Sequence, residues 1–380
     1  MNITEVEKSC FGCAGCVDIC PVEALKIVKD ENGFYVPSLQ AEQCIDCGKC
    51  VKICPALYTE APTNSPSYYY GWHTDEAIRA ASSSGGLFRG LADWALMRNG
   101  VVFGAKYSTD FHAVEMASTE DCAVDALQKS KYVQANAAGL YRAIRKQLSN
   151  GKKVLLTGTP CQIAAARNIF GQNENLILLD FLCGGVPSPD YYDQYIEWLE
   201  KKYGSKVESV DFRSKENGWS RSTVHVKFQN GKRYCSGYEY DPYYALFYLT
   251  SQTKNEACLE CKFTTKRSAD ITIADFWGFR KLGIPNDEKG MSLVVAHTTL
   301  GKRILSELDR VNLIPLEEKD GSYDFVPRKI STEKKKQRDL FLEDFKRHGF
   351  IKAAYKGFFK YGKYGVVLRK IKGRVKGLFE

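Results

Sequence analysis

The sequence predicts an α+β protein in which a small cysteine-rich domain precedes a larger mixed α/β body and a basic C-terminal tail. Three observations predict this. Two cysteine runs of identical spacing occupy the first 57 residues, strand and helix signals are mixed between residues 68 and 325, and lysine accumulates after residue 326. A chain of 380 residues is too long for a single core, so we expect two or three domains.

Both cysteine runs have the spacing Cys-x2-Cys-x2-Cys-x3-Cys-Pro. Each iron of a 4Fe-4S cluster takes one soft thiolate, so four cysteines are needed for each cluster. In this spacing the first three cysteines of a run ligate the nearer cluster, and the fourth ligates the other cluster. The expected ligand sets are Cys10, Cys13, Cys16 and Cys54 for one cluster, and Cys44, Cys47, Cys50 and Cys20 for the other.

The alternative for these eight cysteines is a pair of zinc sites or a disulfide framework. A zinc site would need only two Cys-x2-Cys pairs, which leaves the third cysteine and the proline without a role. Disulfides would require an oxidising compartment. The segment resembles the bacterial two-cluster ferredoxins, so we expect a ferredoxin-like domain over residues 1–57 with two 4Fe-4S clusters. Residues 58–67 have the composition of a linker.

The cysteine content also predicts the compartment. No basic and then apolar leader follows Met1, and no apolar run approaches the roughly 18 residues of a membrane span. Fourteen cysteines in such a chain indicate metal binding in a reducing environment. We therefore expect a cytoplasmic protein of an anaerobe.

The body, residues 68–325, is predicted from apolar strands and amphipathic helices. Strands are expected at residues 68–72, 101–107, 113–118, 153–157, 176–182, 223–228, 233–238, 270–274 and 292–297. Helices are expected at residues 87–98, 139–149, 162–167, 190–202 and 299–309. In the cysteine-rich domain we expect a hairpin that turns at Asn32-Gly33, and short helical stretches at residues 22–25 and 51–53.

Six cysteines lie outside the two runs. Cys258 and Cys261 have metal-ligand spacing, while Cys161 and Cys183 follow two successive predicted strands. Adjacent parallel strands would bring those two turns together, and the four thiolates would suffice for a third 4Fe-4S cluster. The alternative is that Cys161 and Cys183 are small buried core residues. The two cysteines without such a context, which we expect to be structural, are Cys122 and Cys235.

Two further segments favour an anionic ligand. Residues 82–86, Ser-Ser-Ser-Gly-Gly, open a predicted helix, where free amides attract phosphate and glycine allows a close approach. Residues 129–134 place two cations and two hydroxyls beside an apolar residue, which suits the pyrophosphate and ring system of a flavin. A solvated charged loop is the alternative for the second segment. No Gly-x-Gly-x-x-Gly fingerprint follows a strand, so an ordinary Rossmann dinucleotide site is unsupported.

Six segments together resemble the coenzyme F420 hydrogenase/dehydrogenase beta-subunit family. They are residues 83–86, 130–134, 158–162, 183–188, 258–263 and 270–278, in the order that the family has. The resemblance implies FAD in the body, with at least one 4Fe-4S cluster beside it. By this resemblance the flavin-site motifs contain Ser83, Ser84, Gly85, Gly86, Lys131 and Tyr132, and the cluster motifs contain Cys161, Cys183, Cys258 and Cys261.

The sequence departs from the family pattern at two places. The family often has Cys-His-Gly where this chain has Cys183-Gly184-Gly185, so an imidazole that could donate a proton is missing. It often has Gly-Asp where this chain has Ala274-Asp275. Since function resides in sites and not in folds, the substrate does not follow from the resemblance.

The tail, residues 326–380, is basic and amphipathic. Residues 331–380 contain 15 Lys or Arg and five Asp or Glu. Lys352, Lys356, Lys360 and Lys363 recur at helical spacing among aromatic residues. The segment could lie on an anionic membrane surface, dock on an acidic partner or remain a solvated extension. Nucleic acid is not expected, because the body offers no basic groove.

These observations favour an iron–sulfur flavoprotein oxidoreductase. Single electrons would pass between 4Fe-4S clusters and FAD, coupled to two-electron reduction or oxidation of coenzyme F420 or another organic substrate. Ferredoxin or another redox protein would be the partner. The alternative is a non-catalytic subunit that relays electrons from ferredoxin to a partner enzyme, for example in surface polysaccharide biosynthesis. The sequence identifies no catalytic residue.

Overall fold

The computed structural model describes residues 3, 6, 9–59, 65–321 and 330–359. The strands are β1 (Leu25–Lys29), β2 (Tyr35–Leu39), β3 (Ser67–His73), β4 (Val101–Tyr107), β5 (Val114–Thr119), β6 (Val154–Gly158), β7 (Leu176–Phe181), β8 (Val207–Ser214), β9 (Thr223–Phe228), β10 (Arg233–Gly237), β11 (Ile271–Asp275), β12 (Ser292–Ala296) and β13 (Val311–Leu316). The helices are α1 (Gly15–Ile19), α2 (Lys49–Lys52), α3 (Glu76–Ala81), α4 (Leu87–Leu96), α5 (Leu140–Ser149), α6 (Pro160–Phe170), α7 (Pro189–Tyr203), α8 (Pro242–Tyr248), α9 (Thr299–Ser306), α10 (Glu318–Gly321), α11 (Thr332–His348) and α12 (Phe350–Phe359).

A mixed eight-stranded sheet forms the centre of the body, which confirms the mixed α/β architecture. Its order is β13-β3-β12-β11-β7-β6-β4-β5. The middle strands β11, β7, β6 and β4 are parallel, and antiparallel strands flank them on both sides. The carboxyl ends of the four parallel strands therefore meet at one edge of the sheet, where open α/β sheets bind their ligands.

Helices cover both faces of this sheet, because alternate residues of the parallel strands point to opposite sides. Leu155 and Ile177 lie in one core with α4 and α9, whereas Val154 and Leu156 lie in another with α5 and α6. Among the predicted elements, the strand at 101–107 has the expected bounds. The helix that was expected at 162–167 begins earlier, at Pro160, because Thr159 and Gln162 form a capping box.

A second, three-stranded sheet has the order β10-β9-β8 and packs on α7, α8, α11 and α12. The last two helices belong to the segment in which the sequence predicts a basic tail. Phe341, Phe350 and Ala353 are buried with the tyrosines of α7, and Lys356 forms an ion pair with Asp344 at 2.5 Å. The apolar side of this segment is therefore covered by the body, at least as far as Ala354. Lys360 and Lys363 lie outside the described residues.

The cysteine-rich domain contains the expected hairpin, in which β1 and β2 pair antiparallel and Gly33 has a φ of 76°. The helix expected at residues 22–25 is wrong. In the structure, α1 instead contains the third cysteine of the first run, Cys16, and ends before the fourth. Helix α2 likewise contains the third cysteine of the second run, Cys50. Ala14 and Gly48 precede these helices in the left-handed conformation, which turns the chain so that each helix starts next to the third cysteine.

Polar contacts fix this domain to the body. Gln134 and Tyr35 exchange two hydrogen bonds, of 2.7 and 3.0 Å. The Ser188 hydroxyl donates to the Asn32 carbonyl at 2.8 Å, although the sequence predicts Ser188 as the N-cap of α7. Ser188 does occupy the N-cap position, but its hydroxyl makes no capping bond.

Asp18 caps a helix of the other domain. Helix α5 has no side-chain cap of its own, and the Asp18 carboxylate accepts hydrogen bonds of 2.8 Å from the Gly139 and Tyr141 amides. We expect Asp18→Ala to lower the free energy of unfolding by about 1–2 kcal/mol, the usual effect of losing an N-cap. Urea unfolding under anaerobic conditions measures this. Glu42→Ala, at an exposed site of the same domain, is the control, and equal midpoints for the two variants would contradict the capping role.

No helix within the described ranges is long and apolar enough to cross a bilayer.

Candidate functional site

The eight cysteines of the two runs line two separate cavities. We call the cysteines of the first cavity the inner set and those of the second the outer set. The inner set is Cys10, Cys13, Cys16 and Cys54. The outer set is Cys20, Cys44, Cys47 and Cys50. Each set combines three cysteines of one run with the last cysteine of the other, so the fold brings together the residues that the spacing pairs.

The thiols of the inner set are largely removed from water. Burial raises the pKa of Cys10 from 9.0 to about 11, and it also raises the pKa of Cys13 and Cys16. A metal ligand must be deprotonated, so iron binding here would release protons and replace them with metal charge. Among the described residues, no group of three or more His, Cys, Asp or Glu side chains is close enough together to hold a single metal ion. A cubane has no such requirement, since each thiolate binds a different iron.

A third group of cysteines, the body set, lies at the edge of the large sheet. Its members, Cys161, Cys183, Cys258 and Cys261, all line one large cavity. Strands β6 and β7 are adjacent and parallel, as expected, and this brings the turns of Cys161 and Cys183 together. Burial and the neighbouring thiols Cys13, Cys183 and Cys258 raise the pKa of Cys161. Burial also raises the pKa of Cys258, to about 12.

The inner set and the body set are neighbours across the domain boundary. Phe11 lines both cavities, and its ring packs edge-on against Phe263 with 5.1 Å between centroids. The Tyr141 hydroxyl donates to the Cys13 carbonyl at 2.9 Å and lies 3.2 Å from the Gln162 carbonyl. The outer set reaches the surface, because Cys47 is exposed. Cys50 of the outer set lies close enough to Cys16 of the inner set to help raise its pKa, so the three sets follow one another from the surface to the body.

The large cavity, which we call the central cavity, has a volume of about 540 Å³, within the usual range for small-molecule sites. It opens where the parallel strands end. Besides the body set, it is lined by the sequence-predicted residues Ser83, Ser84, Gly86, Lys131 and Tyr132. Gly85 lies just behind it, where its amide donates to the Ser292 hydroxyl at 2.9 Å. A Cβ atom at position 85 would lie 2.4 Å from the Gly71 carbonyl oxygen, so no larger residue fits.

The two serines hold the motif segments together. The Ser83 hydroxyl accepts from the Ser130 amide at 3.1 Å, which joins the two flavin-type motifs. The Ser84 hydroxyl donates to the Met291 carbonyl at 2.5 Å. Gly86, with a φ of 91°, is the N-cap residue just before α4, and among the described residues no side chain caps the first amides of this helix. The uncapped N-terminus therefore faces a cavity that the serine motif shapes.

Two lysines, one lining the central cavity and one beside it, have pKa values well below that of an ordinary lysine. Burial, with help from nearby Lys129, lowers the pKa of Lys131 from 10.5 to about 7. The Lys131 ammonium donates to the Gln128 carbonyl at 2.5 Å. Burial also lowers the pKa of Lys215 to about 7, and this ammonium donates to three carbonyls, one of them that of Ser84. Both amines can therefore change charge near neutral pH.

Several buried polar atoms of residues that line the central cavity have no hydrogen-bond partner among the described residues. They are the Thr157 hydroxyl, the side-chain amide oxygen Oε1 of Gln128, and the Nε and Nη2 atoms of Arg213. Buried polar groups are rarely left unpaired, so a polar ligand is expected here. A ligand that carries phosphates, hydroxyls or ring carbonyls would offer partners to these donors and acceptors.

The sequence did not predict the roles of Thr157, Gln128 and Arg213. Thr157 could have been found, since it is the last residue of the predicted strand 153–157, which precedes Cys161. Arg213 gave no local signal, because the second sheet brings it to the cavity. The two remaining cysteines, Cys122 and Cys235, are exposed and do not line these cavities.

Comparisons with known proteins match two regions of the chain. Residues 151–321 match the family model for the C terminus of the coenzyme F420 hydrogenase/dehydrogenase beta subunit. Residues 9–57 match the model for a 4Fe-4S dicluster domain. A chain from the xenon-derivatised F420-reducing [NiFe] hydrogenase complex of Methanosarcina barkeri is 17% identical, with a TM-score of 0.46, over 80% of this chain and 95% of that one. No curated protein matches.

Proposed function

We propose that the chain is an iron–sulfur flavoprotein oxidoreductase, because residues 9–57 match the 4Fe-4S dicluster domain and residues 151–321 match the C terminus of the coenzyme F420 hydrogenase/dehydrogenase beta subunit. Two 4Fe-4S clusters occupy the inner and outer sets, a third occupies the body set, and FAD occupies the central cavity. Coenzyme F420 or another organic molecule is the two-electron substrate.

One observation carries this proposal: the central cavity is lined both by the body set and by the residues of the flavin-type motifs. Cluster ligands and flavin contacts would thus share one enclosed space. The neighbouring inner set and the surface-exposed outer set extend this space towards solvent. Such a series suits a protein that exchanges single electrons with a redox protein, for instance a ferredoxin, at the outer set.

The protein residues would bind and orient the flavin, which supplies the coupling between one-electron carriers and a two-electron substrate. The α4 N-terminus at Gly86 would accept a phosphate, because its amides are uncapped and glycine permits a close approach. Lys131 would neutralise negative charge, and the Tyr132 ring, which packs against Tyr244 and Phe247, would form an apolar wall.

FAD affinity is expected to depend on pH through Lys131. Its pKa of about 7 means that the amine is charged below neutral pH and neutral above it. A phosphate binds the charged form of the amine better, so the affinity for FAD should fall as pH rises above about 7. Flavin fluorescence titrations between pH 6 and 9 measure this. We expect Lys131→Met to weaken binding roughly tenfold at pH 6 and to reduce the pH dependence.

Lys131→Arg is the control for charge, since arginine stays protonated over this range. The Lys131→Arg variant should bind FAD at pH 9 about as tightly as it does at pH 6. Lys215 also titrates near 7 and is present in every variant, so the comparison isolates the contribution of Lys131. An unchanged pH profile in Lys131→Met would contradict this role.

The test of the function is anaerobic turnover by the isolated chain. Protein reduced through a viologen is offered coenzyme F420 and oxidised nicotinamide cofactors, and the reverse reactions are measured. We expect electron transfer to at least one organic two-electron carrier, dependent on bound FAD. If the chain exchanges electrons only with one-electron carriers, it is a relay subunit that serves a partner enzyme. If no flavin co-purifies and none binds, the flavoprotein proposal fails.

A further inference from the structure

Arg213 lies between the two sheets of the body and lines the central cavity. It belongs to β8, near the end of that strand. The pairing of β8 with β9 is irregular here, because three residues advance from Asp211 to Ser214 while two advance from His225 to Thr223. Bulges of this kind redirect side chains and occur often beside active sites. The irregularity leaves Phe212 in the core and brings Arg213 to the cavity.

The guanidinium is held firmly on one edge. Its Nη1 atom forms an ion pair of 2.8 Å with Asp275 at the end of β11, and it donates to the Tyr132 hydroxyl at 3.3 Å. Asp275 in turn accepts from the Trp219 indole at 3.3 Å, and Trp219 stacks on Trp277 at 4.4 Å. Arg213 is only 9% exposed. Its position is therefore fixed before any ligand arrives.

The other edge of the guanidinium has no hydrogen-bond partner within the part of the chain that the structure describes. The unpaired atoms are Nε and Nη2, whose N–H bonds run parallel on the same edge of the group. This pair matches the two oxygens of a carboxylate or a phosphate, and such bidentate contacts are among the strongest hydrogen bonds in proteins. Leaving both donors buried and unpaired is costly, so the arrangement favours binding of an oxyanion.

We propose that the Nε–Nη2 edge of Arg213 is the binding site for an oxyanion group of a ligand in the central cavity. The proposal rests on the function proposed above and adds the chemical class that this position takes. A carboxylate or phosphate of the organic substrate would serve, and so would the pyrophosphate of FAD. Tyr132, which belongs to a flavin-type motif, touches Arg213, so the bound oxyanion would lie next to the flavin.

The experiment uses the full chain with its clusters, purified without oxygen. Binding of FAD and FMN is measured by flavin fluorescence, and binding of inorganic phosphate and acetate by calorimetry, with and without FAD. The variants are Arg213→Gln and Arg213→Lys. Lysine keeps a positive charge beside Asp275 but lacks the two parallel donors. A loss of anion binding in Arg213→Lys would therefore reflect the missing donors and not a failure to fold. Arg233→Gln, at an exposed position of the same sheet, is the control.

Two results support the proposal, and they identify the source of the oxyanion. If FAD affinity falls roughly 10- to 100-fold in both Arg213 variants while FMN affinity is unchanged, the site binds the FAD pyrophosphate. If FAD affinity stays within about twofold but phosphate or acetate binding to the loaded protein is lost, the site binds a substrate group.

The proposal is overturned if both variants keep the iron content, the FAD affinity and the anion binding of the unmodified protein. If the unmodified chain binds no flavin at all, the proposed function fails, but the proposal that Arg213 binds an oxyanion is still open to test. Calorimetry with phosphate on the flavin-free protein would then test the anion site by itself. Equal phosphate affinity in Arg213→Gln and in the unmodified protein would show that Arg213 does not bind the anion.

Discussion

Cys258→Ser is expected to remove one complete cluster and to interrupt electron transfer to the central cavity. Cys258 is buried, lines the central cavity and neighbours the other thiols of the body set. A serine hydroxyl is a hard and weakly acidic ligand, so it binds cluster iron much more weakly than a soft thiolate. Iron should fall from about twelve to about eight atoms per chain, four for each cubane. Changing a residue that only contacts a metal ligand already lowers metal affinity or activity 10- to 100-fold. Loss of a ligand itself should therefore lower turnover with a one-electron donor by at least about 100-fold.

The matched controls are Cys122→Ser and Cys235→Ser. Both residues are exposed cysteines of the same body and lie outside the three cysteine sets. Iron content and turnover should be unchanged in these variants. Retention of about twelve iron atoms in Cys258→Ser would exclude Cys258 as a ligand, and a total of about eight in the unmodified chain would exclude the third cluster.

The second large effect is expected at Cys54, which lies in the second cysteine run but lines the cavity of the first. Cys54→Ser should abolish the inner cluster, which stands between the outer set and the body. Electrons from a reduced redox protein should then fail to reach the flavin, although the outer cluster is retained. Anaerobic iron analysis and electron paramagnetic resonance of the reduced protein measure which cluster is lost.

The crossed pairing makes this test specific. Cys54→Ser should give the same remaining spectrum as Cys10→Ser, and Cys20→Ser should give the same spectrum as Cys44→Ser. If the ligands did not cross, Cys54→Ser would instead resemble Cys44→Ser. The comparison uses four variants of one domain, so differences in general stability affect both pairs alike.

The cysteine spacing was informative because it depends on local geometry. Three thiolates with gaps of two residues must surround one centre, and the fold brings the fourth from the other run. The meeting of Cys161 and Cys183 could also be predicted, since the ends of adjacent parallel strands share one edge. The helix expected at residues 22–25 was wrong because the apolar residues there lead into strand β1, which begins at Leu25, whereas the helix α1 lies before the fourth cysteine.

Other features depend on distant parts of the chain and leave no local pattern. Arg213 becomes part of the site through an irregular pairing of β8 with β9 and an ion pair with Asp275. The acidity of Lys131 comes from burial, which a charged stretch of sequence does not reveal. The apolar residues of α12 resembled a docking face because their partners in α7 lie some 150 residues earlier.

The most direct test of the central claim is the cofactor content of the chain purified without oxygen. Iron, acid-labile sulfide and flavin are measured for each chain, with the flavin identified after release. We predict about twelve iron atoms, about twelve sulfides and one FAD, which corresponds to three cubanes and a flavin. About eight iron atoms and no flavin, even after incubation with FAD, would contradict the account and leave a two-cluster electron carrier.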